Sequence, residues 1–153
     1  IKRLEAEALR DSLLAVSGKL DRTPGGLSFA DFNTPRRTVY HRVIRSDKSN
    51  FQSLFDAADP ETPTEKRTVS TVAPQALFLM NHPFALANAT ALAERIKQVQ
   101  GNDQAKLKTL YELLFGRVPS TEEETLNLSY LSKGNWLDLC RVLMCTNEFV
   151  YLR

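Results

Sequence analysis

Apolar residues at the start of the chain recur at three- and four-residue spacing. Ala6, Leu9, Leu13 and Val16 share one face, and Leu20 continues the series. This is the period of an amphipathic helix from Leu4 to Val16, with Glu5, Glu7, Arg10 and Asp11 on much of the other side and Gly18 as its stop. From Asp21 to Pro35 the period vanishes. Thr23-Pro24-Gly25-Gly26, Asp31-Phe32-Asn33 and Thr34-Pro35 carry turn chemistry, so this stretch reads as a loop anchored on the core by Phe29 and Phe32.

The middle of the chain is less helical. Thr38 to Ile44 is rich in β-branched and aromatic residues and reads as a short strand, as does Lys66 to Val72. Both carry a basic pair followed by Thr-Val, Arg36-Arg37-Thr38-Val39 and Lys66-Arg67-Thr68-Val69, and together they could form a small sheet. Between them, Asn50 to Phe55 reads as a helical turn and Asp59 to Pro63 as an exposed loop. Beyond Val72 the helical period returns. Pro74 opens a short helix through Met80, because a first-turn residue needs no N–H. Pro83 opens a longer one, ending near Gly101, with Leu86, Ala89, Ala93 and Ile96 on its face. Asp103 to Phe115 follows, with Leu107, Leu110, Tyr111 and Leu114 inward and Gly116 as its stop. Ser120 with Glu123, or Thr121 with Glu124, is a capping-box start for a helix to about Leu131. Asn135 caps the last, which carries Trp136, Leu139, Cys140 and Leu143. The expected fold is mainly α: about five helices in an irregular bundle, at least half the residues helical, and at most a two-stranded sheet near Val39 and Val69.

Composition narrows the class. At 153 residues the chain has the size of one domain, or it forms the C-terminal part of a larger one. A hydrophobic content of 42% and a charged content of 25% are those of a globular protein that needs neither metal nor disulfide to hold a core. Twenty basic against eighteen acidic residues leave a net charge of +2, which argues against a dedicated nucleic-acid binder. The sequence contains no apolar run long enough for a transmembrane helix. It starts at Ile1, inside what reads as a helix, which is expected of a fragment boundary. Cys140 and Cys145 are five apart in one predicted helix. Five steps rotate about 140° and rise about 7.5 Å, so the thiols point apart and read as small buried residues.

The search for chemistry finds little. His41 and His82, the only histidines, have no cysteine at ligand spacing, so no metal site is expected. No Cys-x-x-Cys-His, Gly-x-Ser-x-Gly or phosphate-loop pattern occurs, so no catalytic residue and no cofactor are assigned to this chain. Glu122, Glu123 and Glu124 open a helix, where carboxylates meet the positive end of the dipole. The candidate ligand-binding residues are basic: Arg36, Arg37, Arg42 and Arg67, with Arg45, Lys48 and Lys66 near them in sequence and Asp47 the one acid between Thr34 and Lys48. Such a group could hold a carboxylate, sulfate, phosphate or acidic sugar. The favoured alternative pairs these arginines with Asp11, Asp56, Asp59 and Glu61 inside the domain. Gln75 and Asn81 flank an apolar run, and Asn147 and Glu148 sit beside Phe149, where buried amides would tie down backbone ends.

An ordered set of residues carries a family resemblance. Leu4-Glu5-Ala6-Glu7 with Arg10 to Gly18, Arg36 to Tyr40, Phe55-Asp56 with Asp59-Pro60, and Arg67 with Ser70 to Leu77 come first. Leu79 with Asn81, Gly116-Arg117 with Pro119 and Glu123, Trp136 to Cys140, and Asn147 to Tyr151 follow. Together they resemble the C-terminal half of a planctomycete-specific domain of unknown function. That domain lies toward the C-terminus of large exported proteins, many with a cytochrome-c-like haem domain upstream. Where the family commonly reads Asn-Ser-Asn-Glu-Phe, this chain has Cys145 to Phe149 as Cys-Thr-Asn-Glu-Phe. The resemblance implies an extracytoplasmic parent, periplasmic or secreted, with any haem held by another domain and other domains of the same protein as partners. It also marks Arg10 and Asp11 as a polar pair, grouped here with Gln75 and Asn81. At least one of the pair is expected to be buried and joined to Arg37 or to backbone of Thr71 to Gln75. The expected role is an accessory, binding or inter-domain assembly module. The alternatives are part of an enzyme completed by upstream domains and, more weakly, an anionic-saccharide binder using the arginine-rich strands.

Overall fold

The computed structural model describes residues 1–44, 51–61, 63 and 65–152. Asp47, Lys48, Arg45, Asn50 and Thr62, named above, lie outside the described residues. The elements are β1 (Lys2–Arg3), α1 (Ala6–Val16), a 3-10 turn (Thr38–Tyr40), α2 (Phe51–Leu54), α3 (Ala73–Asn81), α4 (Pro83–Lys97), α5 (Asp103–Phe115), α6 (Thr121–Leu131), α7 (Trp136–Met144), α8 (Asn147–Val150) and β2 (Tyr151–Leu152). The protein is mainly helical, at 55%. Eight helices are described where about five were expected: α2 and α8, at four residues each, are too short to show a period, and α3 was expected only as a short helix beside the five longer ones.

The local rules that placed the helices hold at their ends. Asn102, Ser120 and Asn135 cap α5, α6 and α7 through side-chain oxygens, and Ser120 with Glu123 forms the full capping box. Gly116 ends α5 at φ 68°, a left-handed conformation that costs a glycine little. α1 starts at Ala6 rather than Leu4, because the Leu4 amide donates to the Val150 carbonyl (2.8 Å) and continues the β1–β2 pairing.

The sheet is not where the sequence put it. Its two strands are β1 and β2, antiparallel, with Lys2 opposite Leu152 and Arg3 opposite Tyr151. Thr38–Tyr40 is a 3-10 turn, and 66–72 belongs to no strand among the described residues. The backbone of Tyr40 and Arg42 pairs instead with Phe29 of the loop (3.1 and 2.8 Å), and charged side chains hold backbone groups at the start of the first segment and in the second. Arg10 takes the carbonyls of Phe32, Thr34 and Arg36, and Asp11 takes the Thr38 amide. In the second segment Asp56 takes the Ser70 amide and Arg3 the Ser70 carbonyl.

One apolar cluster joins the helices. α4 is its centre, meeting α7 most extensively and α1, α3 and α5 besides. Leu9, Leu13, Leu92, Ile96, Leu107, Leu110 and Cys140 are completely buried. Burying one such leucine or isoleucine contributes about 1.5–3 kcal/mol. Phe32 crosses from the loop to sit against Phe51 (5.1 Å between ring centres) and Phe84 (4.6 Å), and so anchors it as expected.

Candidate functional site

Arg10 projects from the buried face of α1 with no exposed surface. Its guanidinium donates to the carbonyls of Phe32 (2.7 Å from Nη2), Thr34 (2.5 Å) and Arg36 (3.0 Å), and to Thr38 Oγ1 (3.0 Å). Phe29, Phe32 and Phe84 line it, the nearest ring centre 5.1 Å away. The Thr38 hydroxyl passes the chain on to Asp11 Oδ1 (2.6 Å), which also accepts the Thr38 amide (2.8 Å). Arg10 is thus the peg on which residues 32–38 hang. Its contacts go to that loop and not to Thr71–Gln75, and Arg37 approaches Asp11 only to 4.0 Å while remaining exposed.

A second polar cluster surrounds Arg3, which is 5% exposed. It donates to the Phe55 carbonyl (3.0 Å), to Asp56 Oδ2 (2.6 Å) and to the Ser70 carbonyl. Asp56 sits at φ 56° and also accepts the Ser70 amide (2.7 Å) and hydroxyl. Burial pushes the Asp56 carboxyl up, but the Ser70 amide and Arg3 outweigh it and hold it below the usual carboxylate range. Gln75, buried, bridges the Leu54 carbonyl (3.0 Å) and Ser70 Oγ (3.1 Å) and closes the cap of α3 at Val72. A third cluster joins Arg117 to Glu123 and Glu148, each at 2.7 Å or less. Its arginine hydrogen bonds bring Glu123 down to about 2.

The residues singled out from sequence therefore go to separate places. Arg10 with Asp11, Gln75, and Asn81 belong to three sites, and no described cavity gathers Arg10, Asp11, Arg37 and Gln75. Asn81 is exposed, 3.4 Å from Arg141, and so is not one of the expected buried amides. Arg36 stacks over Tyr40 (4.3 Å) and donates to the carbonyls of Gly25 and Leu27. Arg67 makes a two-pronged pair with Glu7 (2.7 and 3.1 Å) and reaches Glu5 (3.2 Å). Arg42 is exposed with no ion pair to a described residue. The four arginines do not converge, because their two segments are not adjacent strands. Arg3 and its partner Asp56 were missed as a pair: Arg3 precedes the helical period, and nothing in a sequence links positions 53 apart.

Among the described residues no group of three or more His, Cys, Asp or Glu side chains could hold a metal ion. No helix among them is long and apolar enough to cross a membrane. Cys140 is sealed in the core, and burial pushes its thiol up to about 12, which removes it as a nucleophile at neutral pH.

The largest described hollow is apolar. A groove of about 620 Å³ on the outer side of α3 and α7 is lined by Met80, Val142, Cys145 and Thr146, with Asp138 and Arg141 also on its walls. Val142 is 61% exposed, and Leu77 and Met80 on α3 are exposed as well. Arg141 donates from Nε to the Met80 carbonyl (2.9 Å), fixing the end of α3 against α7 so that the groove is preformed.

A family model described as PSD1, protein of unknown function (DUF1553), matches residues 1–131. The chain belongs to the DUF1553 family. The family span takes in the Arg10 peg and the whole Arg3–Asp56–Ser70–Gln75 cluster, while α7 and α8 lie beyond its end. No curated protein and no solved structure matches the chain.

Proposed function

We propose that this DUF1553 chain is an accessory module that assembles with other domains of a larger protein through the α3–α7 groove. The observation that carries the reading is the division of polar and apolar groups. Arg10, Asp11, Gln75 and Arg67, the side chains best suited to chemistry, are engaged in holding loops, whereas the preformed groove leaves Met80 and Val142 facing outward, with Leu77 exposed on the same helix as Met80. Contiguous exposed apolar surface is expected of an interface. The resemblance to exported haem-associated proteins supports an extracytoplasmic parent in which any haem belongs to another domain, and supplies the occupant: an apolar segment of that same polypeptide. A saccharide-binding role has weaker support. Arg36 is committed to the Gly25 and Leu27 carbonyls and Arg67 to Glu7, which leaves Arg37 and Arg42 as the exposed members of the four.

Val142→Asp separates the two kinds of surface. In the isolated chain it is expected to leave stability within about 0.5 kcal/mol, as at other exposed positions. In the full-length protein it is expected to loosen the module and speed its limited proteolysis. Equal proteolysis of the full-length protein with and without the change would remove the groove from assembly.

A further inference from the structure

His82 occupies the joint between α3 and α4, and its ring is used on three sides. Nδ1 accepts the Phe84 amide at 3.2 Å, so a neutral imidazole caps α4. One face stacks on Phe78, 4.1 Å between centres and 19° between planes. Its edge meets Phe32, 6.1 Å away at 89°. Phe32 joins Leu20 in packing the 19–44 segment on the core, and its carbonyl is a principal acceptor for Arg10.

Protonation at Nδ1 turns this acceptor into a donor facing another donor, at the positive end of a helix dipole. Among the described residues no acid pairs with the His82 ring. From α1 comes Arg10, whose guanidinium lies against both Phe32 and Phe84. From α7 comes Arg141, bonded to Met80 and Asn81 at the end of α3. The first turn of α4 has no acid, and α2 contributes no charged side chain. Asp31, the acid beside Phe32, already accepts the Asn33 amide and side chain. His41, at the far end of the same segment, meets Phe29 edge-on at 5.1 Å and lies near Arg10, Arg42 and Gln52.

We propose that His82 is an acid-operated latch, whose protonation weakens the α4 cap and the seat of Phe32 beside it and so loosens, against the hold of Arg10, the 29–38 limb of the loop. Burial holds the His82 imidazole below its ordinary value, so the sign is fixed. The contribution of His82 is complete above about pH 6.5 and is lost as pH falls through the depressed value.

Hydrogen exchange of the 29–38 segment, corrected for intrinsic rates, tests this at pH 7.5 and 5.0. The parent chain is expected to exchange up to about tenfold faster for each pH unit between about 6.5 and the depressed value, with no further gain below it. His82→Asn keeps a capping oxygen for the Phe84 amide but cannot titrate, and is expected to hold the same protection at both pH values. His41→Gln is expected to keep the parent's response. Equal loss of protection in His82→Asn, or no loss in the parent, would overturn the latch. Nuclear magnetic resonance titration of His82 in the unaltered chain gives an answer even if the variant folds poorly. An apparent pKa below about 6.5 is expected, and one at or above it contradicts the proposal.

Discussion

Arg10→Ala is expected to destabilise the chain by about 3–5 kcal/mol, a large share of the stability of an ordinary domain. The cost comes from what is left behind. The carbonyls of Phe32, Thr34 and Arg36 would remain turned toward a site that water reaches poorly, and each buried acceptor left unpaired costs about 1–3 kcal/mol. Relaxation of the loop offsets part of that sum, which is why the expected total is smaller than three full penalties. Arg10→Lys should recover little, since one ammonium cannot reproduce a planar fork spanning acceptors on both sides. Urea unfolding gives the number. A midpoint within experimental error of the parent would show that residues 32–38 hold themselves.

The second large effect is expected at Arg3 and Asp56. Removing either alone leaves the other charge with few remaining partners, at a cost of about 3 kcal/mol. Asp56→Asn is the informative single change, because asparagine tolerates the positive φ at this position and the loss isolates the charge. Arg3→Met combined with Asp56→Asn should cost clearly less than the two single changes added together. That shortfall is the coupling a double-mutant cycle reads. Strict additivity would mean that the two residues act independently despite their 2.6 Å contact.

These pairs also show what was legible in the sequence. Local signals sufficed for the long helices: Ser120, Asn135 and Gly116 mark ends by chemistry confined to three or four residues. The core faces of α5 and α7 followed from the period alone, while on α4 it gave Ala89, Ala93 and Ile96 but put Leu86 where Phe84 and Leu92 are the buried residues. The middle was misread because β propensity in Thr38–Ile44 and Lys66–Val72 is only a weak local bias. Arg10, Asp11, Arg3 and Asp56 override it from positions distant in sequence by holding the backbone in other shapes. The resemblance marked Arg10 and Asp11 as a pair, and the structure shows Arg10 completely buried and Asp11 bonded to Thr38, yet which loop they serve was set by the tertiary fold. The groove was not legible at all. Met80 reads as a helix-end residue and Val142 as one more apolar residue in α7, and only packing shows that they face outward side by side.

The central claim is that the polar clusters maintain this fold while the α3–α7 face joins it to the rest of its protein. Carbene footprinting of Leu77, Met80 and Val142 in the isolated chain and in the full-length protein tests it most directly. The account predicts strong labelling of all three in the isolated chain and clear protection in the full-length protein, with exposed Leu126 on α6 labelled alike in both. Equal labelling of Leu77, Met80 and Val142 in the two proteins would contradict it.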